Sequence, residues 1–223
     1  MRIAGTQVHI CDDWLLFSST DITHIHAAAK AIRAMSGWLE IVPAIDSLAV
    51  QFDPASTSPD QAAAKFSRQL QSISFEVNRD QREICLPVCY EPKHAPDRDW
   101  LAEKLGLPAS DLADWHSALE FSVSMLGFMP GFAYLQTDQT VPEIGRLPSP
   151  RQRVPTGSVG IIGPQSCLYS FNSPGGWPLI GRTPVNLFDH KAKEPALVSA
   201  GQRIKFRPIT ATEFDAIYSG GKR

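Results

Sequence analysis

GFMPGFAYL (Gly127–Leu135), PRQRVPTGSVGI (Pro150–Ile161) and SPGGWPLIGRTP (Ser173–Pro184) lie in the part of the chain whose texture decides the fold. Upstream of Phe121, apolar residues recur at helical spacing. Downstream that periodicity stops, and glycine and proline become dense from Gly127 to Pro184. Short β-type runs stand between the turn residues, at Phe121–Leu126, Ser158–Ile162, Cys167–Phe171, Val185–Phe188 and Arg203–Arg207. Many short strands punctuated in this way predict a closed β-barrel or a sandwich.

Residues 91–120, just before this region, read as a helical connector. Asp97 is placed to cap a helix that stops at Gly106, and a second helix runs from Pro108 to Leu119. The first 90 residues read as a separate unit. Trp14–Ser18 is a strand-like run. Ile25, Ala29, Ile32 and Met35 give residues 21–36 one apolar helical face, closed by Gly37. Trp38–Pro43 and Ser47–Phe52 are strands around a turn at Ala44-Ile45-Asp46. Ser58-Pro59-Asp60-Gln61 starts a second helix as a capping box with proline at its first position. Glu83–Tyr90 returns as a strand, with Pro87 predicting a sheet edge. The order strand, helix, strand, strand, helix, strand is the ferredoxin-like βαββαβ pattern, with an added strand at Thr6–Ile10. The expectation is an α+β protein: a ferredoxin-like domain over residues 1–90, then a helical connector and β-barrel domain over 91–223.

Charge and composition exclude several classes. The chain has 223 residues, 43% hydrophobic and 20% charged, with 21 basic against 23 acidic side chains. That balance gives no electrostatic reason for a nucleic-acid or anionic-membrane partner. No apolar run reaches the roughly 18–20 residues that span a bilayer, and Asp12 and Asp13 interrupt the stretch a signal peptide would need. A cytoplasmic location is expected, with Cys11, Cys85, Cys89 and Cys167 reduced.

No phosphate loop, dinucleotide fingerprint or HExxH is present. His24 and His26 are two apart in a predicted helix and point to different faces, so no metal site is expected. Prolines stiffen the three glycine-rich segments, and arginines stand among them. An arginine on a rigid loop suits bidentate capture of a carboxylate or phosphate. Arg153 therefore reads equally as a ligand contact or a structural ion pair. Phe128, Phe132 and Tyr134 read first as core. Trp177, beside Gly175 and Gly176, reads as pocket or subunit contact. His116, near the end of a helix leading into the barrel, reads either as a general acid/base or as a helix C-terminal histidine favoured by the dipole.

These motifs, in this order, resemble the KipI family of 5-oxoprolinase B subunits, also called allophanate hydrolase subunit 1. The matching residues are His116-Ser117, Gly127–Leu135, Pro150–Ile161, Ser173–Pro184 and the closing GQRIKFRPIT. The resemblance implies a cyclophilin-like barrel after the ferredoxin-like domain. It implies an ATP-dependent complex that opens 5-oxo-L-proline to L-glutamate, with a homologous PxpC-type partner (allophanate hydrolase subunit 2) and a PxpA-type subunit. ATP would be used by the complex, and neither metal nor biotin is evident in this chain. The catalytic candidates are His116 and Arg153. The substrate-binding candidates are Phe128, Pro130, Phe132, Tyr134, Pro155, Gly157, Ser158, Gly175, Gly176, Trp177 and Arg182. His116, Arg153 and the Gly175-Gly176-Trp177 turn are expected to face one cleft. Two other roles occur in the family: inhibition of a sensor histidine kinase, and the allophanate hydrolase or urea carboxylase branch. Pro164, Ser166, Cys167 and Ser170 depart from the usual pattern, as do Thr156 and Tyr90-Glu91-Pro92-Lys93. The loop at 164–170 therefore bears on substrate choice.

Overall fold

In the computed structural model, which describes residues 8–73 and 83–220, the chain divides into units Met1–Asp80 and Gln81–Arg223. The first unit starts with a hairpin, β1 (Val8–Cys11) and β2 (Trp14–Ser18), whose turn holds Asp12 at φ 55°. Aspartate is one of the few residues that accept this left-handed conformation. Asp21 caps α1 (Ile22–Arg33), its Oδ1 accepting the Thr23 N–H at 2.8 Å. After β3 (Glu40–Pro43) and β4 (Ser47–Gln51), the predicted capping box opens α2 (Pro59–Ser72). Gln61 donates its N–H to Ser58 Oγ and takes the Ser58 N–H on Oε1, both at 3.4 Å.

The four strands form an antiparallel sheet in the order β1-β2-β4-β3. Alternation sends Leu15, Phe17, Leu48 and Val50 into one core with Ile25 and Ile32 of α1 and Phe66 and Leu70 of α2. Five of the six elements of the ferredoxin-like pattern are therefore in this unit.

The sixth is not. The strand expected to close it, β5 (Ile84–Cys89), belongs to the second unit, so the boundary falls at 80/81 rather than 90/91. It pairs in parallel along its whole length with β13 (Arg203–Ile209), from Ile204↔Ile84 to Ile209↔Cys89. Nothing local in the sequence announces a partner more than a hundred residues away. Pro87 is consequently not on a sheet edge. It is tolerated because the other neighbour, β12 (Leu179–Arg182), pairs with β5 at Cys89 alone.

Between these strands the chain forms α3 (Arg98–Leu105), a 3₁₀ turn at Ala109–Asp111 and α4 (Leu112–Ala118). Next come β6 (Phe121–Leu126), β7 (Ala133–Gln136), β8 (Arg151–Val154), β9 (Ser158–Ile162), β10 (Gln165–Leu168) and β11 (Ser173–Gly175). The barrel order is β10-β7-β6-β13-β5-β12-β9, closed by β9 against β10, while β8 and β11 form a separate ribbon. Leu86, Val88, Val123, Leu135, Val159, Ile161, Ile180 and Phe206 are among the residues that fill the interior. β6 and β9 have the predicted bounds. The run Val185–Phe188 forms no strand, only an isolated bridge from Phe188 to Ala196. The chain closes on a helix that the sequence reading does not anticipate, α5 (Ala211–Gly220).

Gly106 ends α3 at φ 67°, as expected, but Asp97 does not cap it with its side chain. Its carboxylate reaches into the barrel region instead. Oδ1 accepts from Arg151 Nη2 at 2.6 Å, and Oδ2 accepts the buried Leu179 N–H at 2.7 Å. One acid thereby ties the connector helix to β8 and β12.

Candidate functional site

The loop between β6 and β7 is a tight, self-bonded turn. Met129 donates its N–H to Gly127 O at 2.8 Å, and Phe132 donates to Met129 O at 3.0 Å. Gly131 sits at φ 73°, where a Cβ would lie 2.8 Å from Phe188 Cβ. Ser170 Oγ anchors the turn by donating to Pro130 O at 2.7 Å. The result is an unusual presentation of Phe128. Its φ is 68°, rare for an aromatic residue, and the residue is 64% exposed. Backbone held in such a region tends to mark a binding or catalytic position. Phe171, on the segment that anchors the turn, is also exposed and lies 5.7 Å from Phe188 between ring centroids. Exposed Phe128 and Pro130 on the turn are thus flanked by the Phe171–Phe188 pair, which reaches the turn at Gly131 and through the Ser170 anchor.

Behind this surface the aromatic residues pack inward. Phe132 meets Tyr169 edge-on at 5.0 Å and Tyr134 at 4.8 Å, and Tyr134 lies 6.2 Å from Trp177. Val154, Cys167 and Leu179 complete the cluster. Gly160 has room for no side chain between Cys167 Sγ and Trp177 Cβ, and Gly175 lies directly against Tyr169 Oη. Burial pushes the Tyr134, Tyr169 and Cys167 groups up, so none is a base or thiolate at neutral pH. Arg146 lies over Trp177, 5.9 Å from the ring centroid, and brings a cation to the rim.

The 155–158 turn is equally fixed. Pro155 is exposed, Ser158 is buried, and Gly157 adopts φ 81°. Gly157 donates its N–H to Tyr169 O at 2.7 Å and accepts from Thr183 N at 2.8 Å. Arg182 braces the same turn from β12, Nε donating to Thr156 O at 2.8 Å, while its guanidinium lies over Phe214 and Tyr218 of α5.

The predicted site residues therefore fall into groups rather than one cleft. Phe128, Pro130, Phe132, Tyr134, Gly175, Gly176 and Trp177 belong to the aromatic wall and its rim. Arg153 stands apart. Val154 enters the aromatic cluster, and strand alternation carries the exposed Arg153 to the other face of β8. It makes no hydrogen bond or ion pair with any described residue, which removes the structural ion-pair reading.

His116 is not a general acid/base available to substrate. It is fully buried between Phe121 and Phe206, the latter stacked at 4.8 Å, and its Nδ1 meets Tyr90 Oη at 2.9 Å. Burial depresses its pKa to about 3, so it stays neutral, and the reading as a charged helix-end histidine fails as well. The unfolded chain binds a proton near pH 6.5 that the folded chain refuses. Stability is therefore full above pH 6.5 and falls as pH drops toward 3. Between pH 6.5 and pH 4 the expected loss from this group is roughly 3 kcal/mol. Urea unfolding across that range checks it, and His116→Gln should flatten the slope.

Arg146 and Tyr169 carry no local sequence signal, and Asp97 reads as a helix cap, because each acts through a partner far along the chain. Among the described residues, no group of three or more His, Cys, Asp or Glu is placed to hold a metal. A shallow depression of about 120 Å³ is lined by Glu83, Ser117, Phe121, Arg203 and neighbours, none of them from the three glycine-rich segments.

The family model for the carboxyltransferase domain, subdomains C and D, matches residues 2–198. A Bacillus subtilis (strain 168) protein, named as one of the 5-oxoprolinase B subunits, is 36% identical over 206 residues, covering 86% of this chain and 85% of its own. The chain belongs to the family of 5-oxoprolinase B subunits. Its fold agrees: the crystal structure of TTHA0988 superposes with a TM-score of 0.78 at 29% identity, covering 92% of this chain and 41% of that one. This family member thus spans about two fifths of the length of that solved relative. A Lachancea kluyveri urea amidolyase is 29% identical over 147 residues, which is 62% of this chain and 8% of the amidolyase. No described helix is long and apolar enough to cross a membrane.

Proposed function

We propose that this chain is one subunit of an ATP-dependent 5-oxoprolinase that opens 5-oxo-L-proline to L-glutamate, and that it works only when PxpC-type and PxpA-type partners are assembled with it. The observation that carries the reading is the split character of the motif loops. Their inward side is filled by Phe132, Tyr169 and Trp177, while Phe128 is pushed outward at 64% exposure on a strained backbone. A wall that is rigid, aromatic and solid behind is suited to being half of a site that another protein completes. The near end-to-end match to the Bacillus subtilis relative favours this role over the amidolyase branch, where 8% of the relative is matched.

Opening a lactam by hydrolysis is uphill enough to call for phosphoryl activation, and the oxyanion that forms needs preorganised donors. This chain carries no nucleotide motif, so ATP would meet it in the assembled complex. Arg146 and Arg153 are the cations whose exposure suits them to phosphate or carboxylate oxygens there. Purified with both partners, the chain should support ATP hydrolysis that depends on 5-oxo-L-proline. An assembled complex with no such turnover rejects the proposal. Arg153→Ala should leave unfolding unchanged within about 0.5 kcal/mol, as an unpaired surface residue does, and lower turnover at least tenfold. Parallel loss of stability and turnover would make the arginine structural.

A further inference from the structure

His94 is the buried polar side chain with the least provision around it. It is 5% exposed, and neither ring nitrogen meets a protein hydrogen-bond partner. Buried polar groups are nearly always paired, so a bare imidazole marks a place where a partner belongs. The turn that carries it is sound: Glu91 O accepts the N–H groups of His94 and Ala95 at 2.8 and 2.9 Å. The imidazole lies against Phe214 of α5, ring centroids 4.0 Å apart. Arg182 approaches the same phenyl ring from β12, its guanidinium carbon 5.3 Å from the centroid. Nε of that guanidinium is committed to Thr156 O, and no carboxylate among the described residues pairs with its other nitrogens. The two acids nearby are engaged elsewhere. Glu91 Oε1 accepts the Ala211 N–H at 2.7 Å, and Asp215 faces Lys93 Nζ at 4.0 Å.

We propose that His94 and Arg182 are the donors of an oxyanion site, closed in this structure by Phe214, which takes a small carboxylate or phosphate when α5 lifts. The proposal goes beyond the 5-oxoprolinase reading and does not rest on it. A guanidinium offers paired N–H donors to a planar or tetrahedral oxyanion, and an imidazolium adds a charged donor. In the closed state, burial first, then the charges of Arg182 and Lys93, hold His94 below its ordinary pKa, while Asp215 and Glu91 act weakly in the opposite sense. Cys89, also packed against Phe214, is kept protonated by burial, and Tyr218 stacks on Phe214 from the next turn of α5. Lifting α5 relieves the burial that is the first cause of His94 staying neutral, and an anion seated at Arg182 offsets the repulsion that is the second. His94 then takes one proton from solvent as the anion enters, so binding strengthens as pH falls.

The test is NMR of the full chain with labelled histidine, the His94 ring signals being assigned with His94→Asn. Inorganic phosphate and 5-oxo-L-proline are titrated separately. Phe214→Ala should bind at least one of them tenfold or more tighter than the unsubstituted chain, and more tightly at pH 6 than at pH 8. Adding Arg182→Gln should abolish the response. Saturation by phosphate alone assigns the site to phosphates, and saturation by 5-oxo-L-proline alone assigns it to carboxylates. A folded Phe214→Ala chain whose His94 signals ignore both anions, or respond equally without Arg182, overturns the proposal. If Phe214→Ala does not fold, the unsubstituted chain decides the matter. An anion that binds beneath α5 must speed amide exchange in Ala211–Gly220, by at least fivefold at saturation, and unchanged exchange overturns it.

Discussion

Phe128→Asp is expected to yield a folded chain with a nearly unchanged melting temperature, and to weaken partner binding at least a hundredfold, with turnover lost in parallel. The folded chain has little to lose. Phe128 is 64% exposed, its ring meeting Phe132 only edge-on at 5.3 Å, and aspartate accepts φ 68° more readily than phenylalanine does. The complex has much to lose. Burying the exposed ring area at an interface is worth roughly 2 kcal/mol. A carboxylate left unpaired there adds a desolvation penalty of at least about 1 kcal/mol. Since about 1.4 kcal/mol is tenfold in affinity, the two together exceed a hundredfold. Calorimetric unfolding and isothermal titration with the PxpC-type partner read the two effects separately. A large fall in melting temperature would show Phe128 to be part of the fold rather than of its contact surface.

Gly157→Val is expected to destabilise the barrel unit by at least about 4 kcal/mol, lowering its melting temperature by roughly 10 °C. Three penalties coincide. The position requires φ 81°, which a β-branched residue resists. Any Cβ there collides with the Thr183 carbonyl oxygen, a backbone atom that cannot rotate aside. Moving the turn to relieve the clash would break the hydrogen bonds to Tyr169 O and from Thr183 N. Gly163→Ala is the contrasting case. Its φ of 48° is also left-handed, but nothing lies within 4 Å of the added atom, so the cost should be only about 1 kcal/mol. Equal effects from the two substitutions would mean that the Thr183 contact is not what makes Gly157 necessary.

Sequence signals are legible where the structure is itself local. The Ser58 capping box, the Gly106 stop and the bounds of β6 and β9 each depend on a few adjacent residues. Long-range pairing is not legible. Ile84–Cys89 looks like a strand and is one, but its composition says nothing about β13 as its partner. Asp97 looks like a cap because an acid before a helix usually is one, yet its carboxylate is taken by Arg151 and the Leu179 N–H. The site is half legible for the same reason. Glycine, proline and aromatic residues in the motif loops do mark rigid, closely packed turns. Which rings face inward and which outward depends on the fold. Trp177, expected at a pocket or contact, is 6% exposed, whereas Phe128, expected in the core, is the one presented to solvent. A single histidine in a helix end, such as His116, carries no sequence mark of the aromatic shell that keeps it neutral.

The face bearing Phe128 and Phe171 is, on this account, where a partner subunit docks. Hydrogen–deuterium exchange of the chain, alone and with the PxpC-type partner, tests it most directly. The account predicts slower exchange confined largely to residues 127–132 and 170–172 on complex formation. Protection elsewhere with these segments unchanged, in a complex shown to be assembled, would contradict it.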